Sequence, residues 1–261
     1  MRVIGTGALL LALMAGTAAA GPFVHINRFD ADSRVGADVS YFVLDGDPDF
    51  SLLRFDLHGH YIHPESGGGF YAQVPVAFAF DDNDSETVLG NLEIGGLYMP
   101  KAMKGPLQFV LRGGITLPTA EDDLSSLLGV IAQYARVHDL YLAIPEGVTA
   151  RLGGSALYDA GNVYFRGDLG IDINLSHAGG GDVDPAVSFN AGLGLRVSPQ
   201  AAITAELSSI SSDEDDVFNF GLGARFFTGN IWPYVGLVLP LDSELRELMD
   251  LALVAGLDAR I

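Results

Sequence analysis

The sequence predicts an all-β protein: a single antiparallel up-and-down transmembrane β-barrel of about 12 strands, with a helical insertion in one long extracellular loop. Three observations lead there. Apolar and polar residues alternate with period two along most of the chain, the strand charges keep to one parity, and the connections sort into a short set and a long acidic set. Period two means one apolar and one polar face per strand. The partition of charge and of loops then decides which face looks inward.

The chain opens on "MRVIGTGALLLALMAGTAAA", with Arg2, a short apolar stretch and Ala18-Ala19-Ala20. This reads as a secretory signal peptide over residues 1–20, cut before Gly21. Residues 21–34 then read as a periplasmic N-terminal segment and 35–261 as the barrel. Nowhere after residue 20 is there an apolar run of the ~18 residues that a transmembrane helix needs. Cysteine is absent, so disulfides contribute nothing to the stability of this exported chain. A formal net charge of −19 argues against nucleic acid, whose phosphates call for clustered Lys and Arg.

Twelve alternating segments follow, at roughly 35–45, 50–62, 70–80, 86–98, 106–118, 147–158, 162–174, 185–198, 200–210, 217–228, 230–240 and 250–261. Most exceed the ~5–6 residues usual in soluble sheets and match the ~9–11 of a tilted bilayer-crossing strand. In 50–62, Leu53, Phe55, Leu57 and Tyr61 oppose Arg54, Asp56, His58 and His60. In 162–174, Val163, Phe165, Leu169 and Ile171 oppose Arg166, Asp168 and Asp172. The segment "VFNFGLGARFF" places Phe218, Phe220, Leu222 and Phe226 opposite Asn219 and Arg225. The polar parity as a whole carries Asp38, Arg54, Asp56, His58, His60, Glu93, Arg112, Arg151, Arg166, Asp168, Asp172, Arg196, Glu206, Arg225, Asp258 and Arg260. These are the predicted pore-lining residues. Leu89, Val110 and Leu157 are apolar exceptions on the same parity.

A soluble sandwich also alternates, but its wet face is normally rich in Lys and Glu, and these strands contain no Lys. Small residues with balanced Arg and acids suit a crowded lumen, and closure removes the edges that hydrocarbon would not tolerate. The connections agree. "HPESGGG", "YDAG", "SPQ" and "FTGN" are short; "DGDPD", "DDNDSE", "GGGDVD" and "SSDEDD" are acidic, with Arg136 and Arg246 the chief bases of that side. Short periplasmic turns and longer outer loops are the outer-membrane pattern. Tyr61, Phe70, Tyr71, Tyr98, Tyr158, Tyr164, Phe226, Phe227, Trp232 and Tyr234 gather beside the short turns, as an interfacial girdle would.

Segment 122–137, "DDLSSLLGVIAQYARV", departs from period two. Leu124, Leu127, Leu128 and Ile131 recur at helical spacing after Asp122 and Asp123, which can cap the N-terminus. This loop helix reads as a gate or lid, either folded into the lumen or lying over the rim.

Within "GPLQFVLRGGITLPTAEDD" (105–123) and "DLYLAIPEGVTARLGGSALYD" (139–159), a Gly-Pro turn, a strand ending in Leu-Pro-Thr and a long loop appear in sequence. Over about residues 90 to 261 this resembles the family described as "MetA-pathway of phenol degradation", outer-membrane barrel transporters. The resemblance implies passage of small, apolar molecules.

No catalytic residue is assigned. Ser176 and His177 are adjacent, so on a strand they point to opposite faces. His58 and His60 share a face, but two histidines make no metal site, and hydrogen-bonded lumen histidines are the simpler reading. The acidic loops could hold divalent cations; lacking calcium-loop spacing, they read first as solvated tips. No cofactor and no metal are expected. The expected partners are outer-membrane lipid with lipopolysaccharide and a small-molecule solute. The reading is an outer-membrane channel or transporter, not an enzyme. The alternative is a structural barrel whose lumen is closed by its own Arg–acid network, and a barrel enzyme comes last.

Overall fold

The computed structural model describes residues 23–25, 29–30, 32–44, 51–80, 85–100, 106–120, 130–145, 147–176, 185–212 and 216–261. Segment 1–20, most of the acidic loops, and Leu124, Leu127 and Leu128 lie outside the described residues. The wall is built from β1 (Arg34–Leu44), β2 (Ser51–Ile62), β3 (Gly68–Phe80), β4 (Ser85–Leu89), β5 (Leu92–Tyr98), β6 (Leu107–Leu117), β7 (Val148–Asp159), β8 (Val163–Ser176), β9 (Pro185–Ser198), β10 (Ala201–Ser211), β11 (Asp216–Phe226), β12 (Ile231–Pro240) and β13 (Met249–Arg260). Neighbours in the chain pair antiparallel, and β1 pairs with β13 from Arg34↔Arg260 to Leu44↔Met249, which closes the sheet. β4 and β5 are two halves of one passage, so the wall is crossed twelve times.

That split passage has a local cause. Pro75 sits inside β3 and has no N–H to give to a ladder. β4 pairs with Val76–Phe80 and β5 with Gly68–Gln73, leaving Gly90–Asn91 bulged between them. The carbonyl of Pro75 accepts from Gly90 N at 2.9 Å. An extra residue in a strand reverses its parity. Val88 and Glu93 therefore both face inward, and Leu89 is exposed on the outer wall rather than in the lumen as its spacing suggested.

Elsewhere period two holds. Leu57, Leu111, Phe165, Leu169, Leu222 and Leu253 are exposed on the outer surface. The short turns reverse through Gly67, Gly161 and Gly229 at φ of 73°, 85° and 65°, backbone values that β-carbons disfavour. The girdle is thinner than its sequence signature. Tyr61, Phe70, Tyr98, Tyr158 and Phe226 face out, but Tyr71, Tyr164, Trp232 and Tyr234 are buried inside. Tyr71 comes up against Gly95 and Gly114, and Tyr234 against Gly256, where a Cβ would occupy the same space.

The interior divides into two zones. Toward the long loops, Phe42, Leu52, Ala77, Ala79, Val88, Val238, Met249 and Val254 form an apolar cluster closed by Ala132 and Ala135 from the loop insert. Toward the short turns the interior is charged. The described part of the insert is α-helical over 130–133 and continues as a 3-10 helix, Tyr134–Ala143, broken at Arg136 (φ −139°, ψ 68°). It runs six residues past the predicted end. Ala135 to Asp139 are all buried, so no apolar stripe marked the C-terminal half. Ile131, the one described gate residue, packs against the apolar cluster.

The N-terminal segment is the larger correction. Phe23, Val24, His25, Phe29 and Asp30 are buried within the barrel, not in the periplasm. Phe23 packs on Leu157 and Tyr164; Phe29 packs on Ile62, Tyr71, Leu97 and Val110. In water each ring would forfeit about 1.5–3 kcal/mol of transfer free energy.

A charge on the outer face tests the wall. Leu169→Arg, near the middle of β8, should destabilise the barrel by about 2–4 kcal/mol. Urea unfolding in lipid vesicles would measure it, and an unchanged midpoint would contradict a lipid-facing Leu169.

Candidate functional site

Fourteen of the sixteen predicted interior residues are buried; Arg196 is half-buried and Arg260 lies exposed at the turn-side rim, paired with Asp32 at 3.0 Å. The structure gathers them into three groups with the two inward segments.

The central group surrounds Arg151. Its Nε donates to Asp172 Oδ1 at 3.0 Å, and Nη1 to Glu93 and, at 3.2 Å, to Asp139 Oδ1. Its Nη2 donates to the carbonyl of His138. Glu93 also accepts from Tyr71 OH at 2.5 Å and Gln73 Nε2 at 2.8 Å, and Gln73 donates to Asp139 at 3.1 Å. Asp139 belongs to the insert. Wall and insert therefore share one fully buried ion network, joined by His138, whose ring desolvation, only partly offset by Asp139, holds the imidazole well below its usual pKa and so neutral. A second attachment is Asn91 in the bulge. Its N and Nδ2 donate to the carbonyls of Leu142 and Ile144, both at 2.6 Å, and its Oδ1 accepts from Thr119 N and Ala120 N at 3.0 and 2.9 Å. Asn91 grips both ends of the described loop.

The second group holds the N-terminal segment. Glu206, oriented by Thr204 Oγ1 at 2.5 Å, accepts from Val24 N at 2.8 Å and His25 N at 2.7 Å. Arg225 Nη2 donates to the Phe23 carbonyl at 2.9 Å, Arg136 Nη1 to that of Val24 at 3.0 Å, and Arg166 Nη2 to that of Phe29 at 2.9 Å. Arg136 is thus an interior residue, not a base of the outer rim. Arg112 lies over the Phe29 ring, 5.9 Å from its centroid, and Arg196 over Tyr164 at 5.0 Å.

The third group closes the turn side. Asp258 accepts from Arg34 Nη1 at 3.1 Å, from His58 Nε2 at 2.9 Å and from Arg225 Nη1. Arg34 also pairs with Asp30, and His60 Nε2 stands 4.0 Å from the same carboxylate. His58 and His60 are therefore carboxylate partners. Among the described residues no cluster of His, Asp or Glu has the geometry of a metal site. Arg54 pairs with Asp56 at 2.5 Å, and Tyr234 OH donates to Asp38 at 2.9 Å.

Sequence parity found the wall charges but missed what they hold. Asn91, Asp139, Phe23 and Phe29 carry the inward segments. Only Asn91 left a trace, as a Gly-Asn pair interrupting an alternating run.

The geometry has solved counterparts. The COG4313 outer membrane channel from Pseudomonas putida F1 superimposes over 93% of this chain and 100% of its own, with a TM-score of 0.61 and 12% identity. The NanC porin matches over 87% and 100% (TM-score 0.57, 9% identity), and the KdgM porin over 87% and 99% (0.54, 11%). The fold is that of an outer-membrane β-barrel. No protein-family model matches the chain, and no curated protein matches its sequence. The resemblance to the phenol-degradation family accordingly stays with the motifs that suggested it.

Removing the hub of the central network should be severe. Arg151→Met leaves the Glu93, Asp172 and Asp139 carboxylates facing one another in a buried site, a change worth about 3–5 kcal/mol. Urea unfolding of the refolded barrel would show it; a loss under 1 kcal/mol would mean that water already screens the group.

Proposed function

We propose that the protein is an outer-membrane channel for small molecules whose lumen is closed at rest by two pieces of its own chain, the insert 130–143 and the N-terminal residues 23–30. One observation carries this reading. The described residues of both segments are attached to the wall mainly through side chains, with one main-chain bond from Asn91 N to the Leu142 carbonyl, and belong to no strand ladder, so either can leave without breaking the sheet. The porin-like fold of the solved neighbours supports a channel. The apolar zone that Ala132 and Ala135 cover supports an apolar or amphipathic solute: once they withdraw, Phe42, Leu52, Val88 and Val254 line a greasy vestibule above a charged floor. No bond-making step is part of the reading. A purely structural barrel is the second reading, favoured by the complete burial of Arg151, Glu93 and Asp172.

A paired substitution tests the gate. A Cβ at Gly221 would run into the His25 ring. Gly221→Ala should therefore displace the N-terminal segment and raise single-channel conductance in planar bilayers several-fold. Adding His25→Gly should lower it again, because the space returns while every main-chain bond stays available. If Gly221→Ala is as silent as the parent, and a chain with 130–143 replaced by a Gly/Ser linker is silent too, the barrel is structural.

The open channel should prefer cations. Its outer loops hold the runs "DDNDSE" and "SSDEDD". That preference should fade as the Debye length falls from about 10 Å at 0.1 M salt to about 3 Å at 1 M. Reversal potentials showing anion selectivity at low salt would contradict it.

A further inference from the structure

The way the lumen holds residues 23–25 points to a ligand. The clamp reads the peptide backbone. One buried carboxylate, Glu206, takes two successive main-chain N–H groups, and two guanidiniums, Arg225 and Arg136, each give a proton to one of two successive carbonyls. Side chains are read separately. Phe23 enters a pocket of Leu157 and Tyr164. Val24 and His25 lie in a trough of Gly221, Gly223 and Gly236, where a Cβ at each position would strike one of them. The His25 ring donates from Nε2 to the Leu222 carbonyl at 3.1 Å.

This receptor does not depend on its occupant for its own shape. Arg225 keeps Asp258, Arg136 keeps Asp139, and Glu206 keeps Thr204 when the segment is gone. Both guanidiniums keep a carboxylate and Glu206 keeps a hydroxyl donor, so water entering the emptied site has only to replace the two peptide N–H groups at Glu206 for the site to stay formed. Charge-assisted bonds to peptide groups are the strong kind, and a bidentate carboxylate sets chain direction as well as position.

We infer that this part of the lumen is a binding site for short peptides that bend after a leading aromatic residue, filled in cis by Phe23-Val24-His25, and that such peptides in trans compete for it. The inference rests on the N-terminal segment being displaceable, as the channel reading holds. The pattern it selects is an aromatic side chain first, a compact β-branched one second and a flat ring third. Because the resident copy is tethered, it acts at an effective concentration in the ~mM range, and a free peptide must reach that range to replace it.

The test uses a chain lacking residues 23–30 and a synthetic peptide with the sequence of residues 21–33. Folding of the truncated barrel is checked by heat-modifiable migration. At about 5 mM the peptide should cut the open conductance at least fivefold, and a scrambled peptide should not. In detergent, a fluorescein-labelled copy should show a saturable rise in anisotropy that Glu206→Gln weakens at least tenfold. If the truncated barrel conducts no more than the parent, the gate reading fails, and the anisotropy still decides the peptide site. Open conductance with neither block nor saturable binding overturns the peptide site and leaves the gate standing. Equal block by the scrambled peptide also overturns it. Should the truncated chain not fold, the full chain carrying Gly221→Ala takes its place. The labelled peptide with Gly in place of His25 should then bind, and the parent peptide should not; no binding by either overturns the inference.

Discussion

A closed antiparallel wall in hydrocarbon has no slack. Each backbone N–H and C=O that faces lipid must be used within the sheet, so β13 has to return to β1 and the outer parity must be apolar. Every polar strand residue is then forced into one bore. Charges so confined are stable only as pairs or networks. The interior shows the consequence: Asp258 serves Arg34, His58 and Arg225 at once, and Arg151 serves three carboxylates. Barrels of about eight strands fill their bore with wall side chains, and those of sixteen leave a water channel. With twelve passages the wall cannot fill the space alone, and two stretches of chain complete it.

Where one of them enters follows from a single residue. Pro75 withholds an N–H from the β3 ladder, the facing passage bulges at Gly90–Asn91, and the freed polar groups of Asn91 turn to the loop. Gly90 belongs to the same joint, since a Cβ there would meet Pro75 and the Leu142 carbonyl. The bulge also switches the inward set from Val88 to Glu93, which places the acid beside Arg151. A break in the sheet and the site of plug attachment are one structural event.

The fold was legible because period two survives in nearly every strand, and strand charges cannot face lipid. Burial of fourteen predicted interior residues follows from parity alone. What parity could not show is anything without a period. Phe23 and Phe29 sit in a stretch with no repeat, so nothing in their spacing distinguishes a tail from a plug. Val137 and Leu142 are enclosed on all sides, and a segment buried all round displays no stripe. Tyr71 and Tyr234 stand beside turns, as girdle residues do, but they share the parity of the buried Gln73 and Trp232 and so turn inward. Leu89 failed for the opposite reason: parity was carried across a bulge that only the facing proline announced.

The two inward segments differ in how they are charged, which on the channel reading would order their release. Asp139 of the insert is itself an ion in the Arg151 network, so withdrawing the insert removes a carboxylate from a fully buried guanidinium and uncovers an apolar zone as well. Both steps are costly. The N-terminal residues 23–25 are held instead through neutral peptide groups. Every wall ion that touches them has another partner: Asp258 for Arg225, Thr204 for Glu206 and, at Phe29, Asp168 for Arg166. Their departure exchanges hydrogen bonds with peptide for hydrogen bonds with water and, among the described ion pairs, breaks those of Asp30 with Arg34 and His60 at the turn side. On the proposed channel reading, opening would begin from the N-terminal side, and the water it admits would lower the barrier to loosening Asp139 from Arg151.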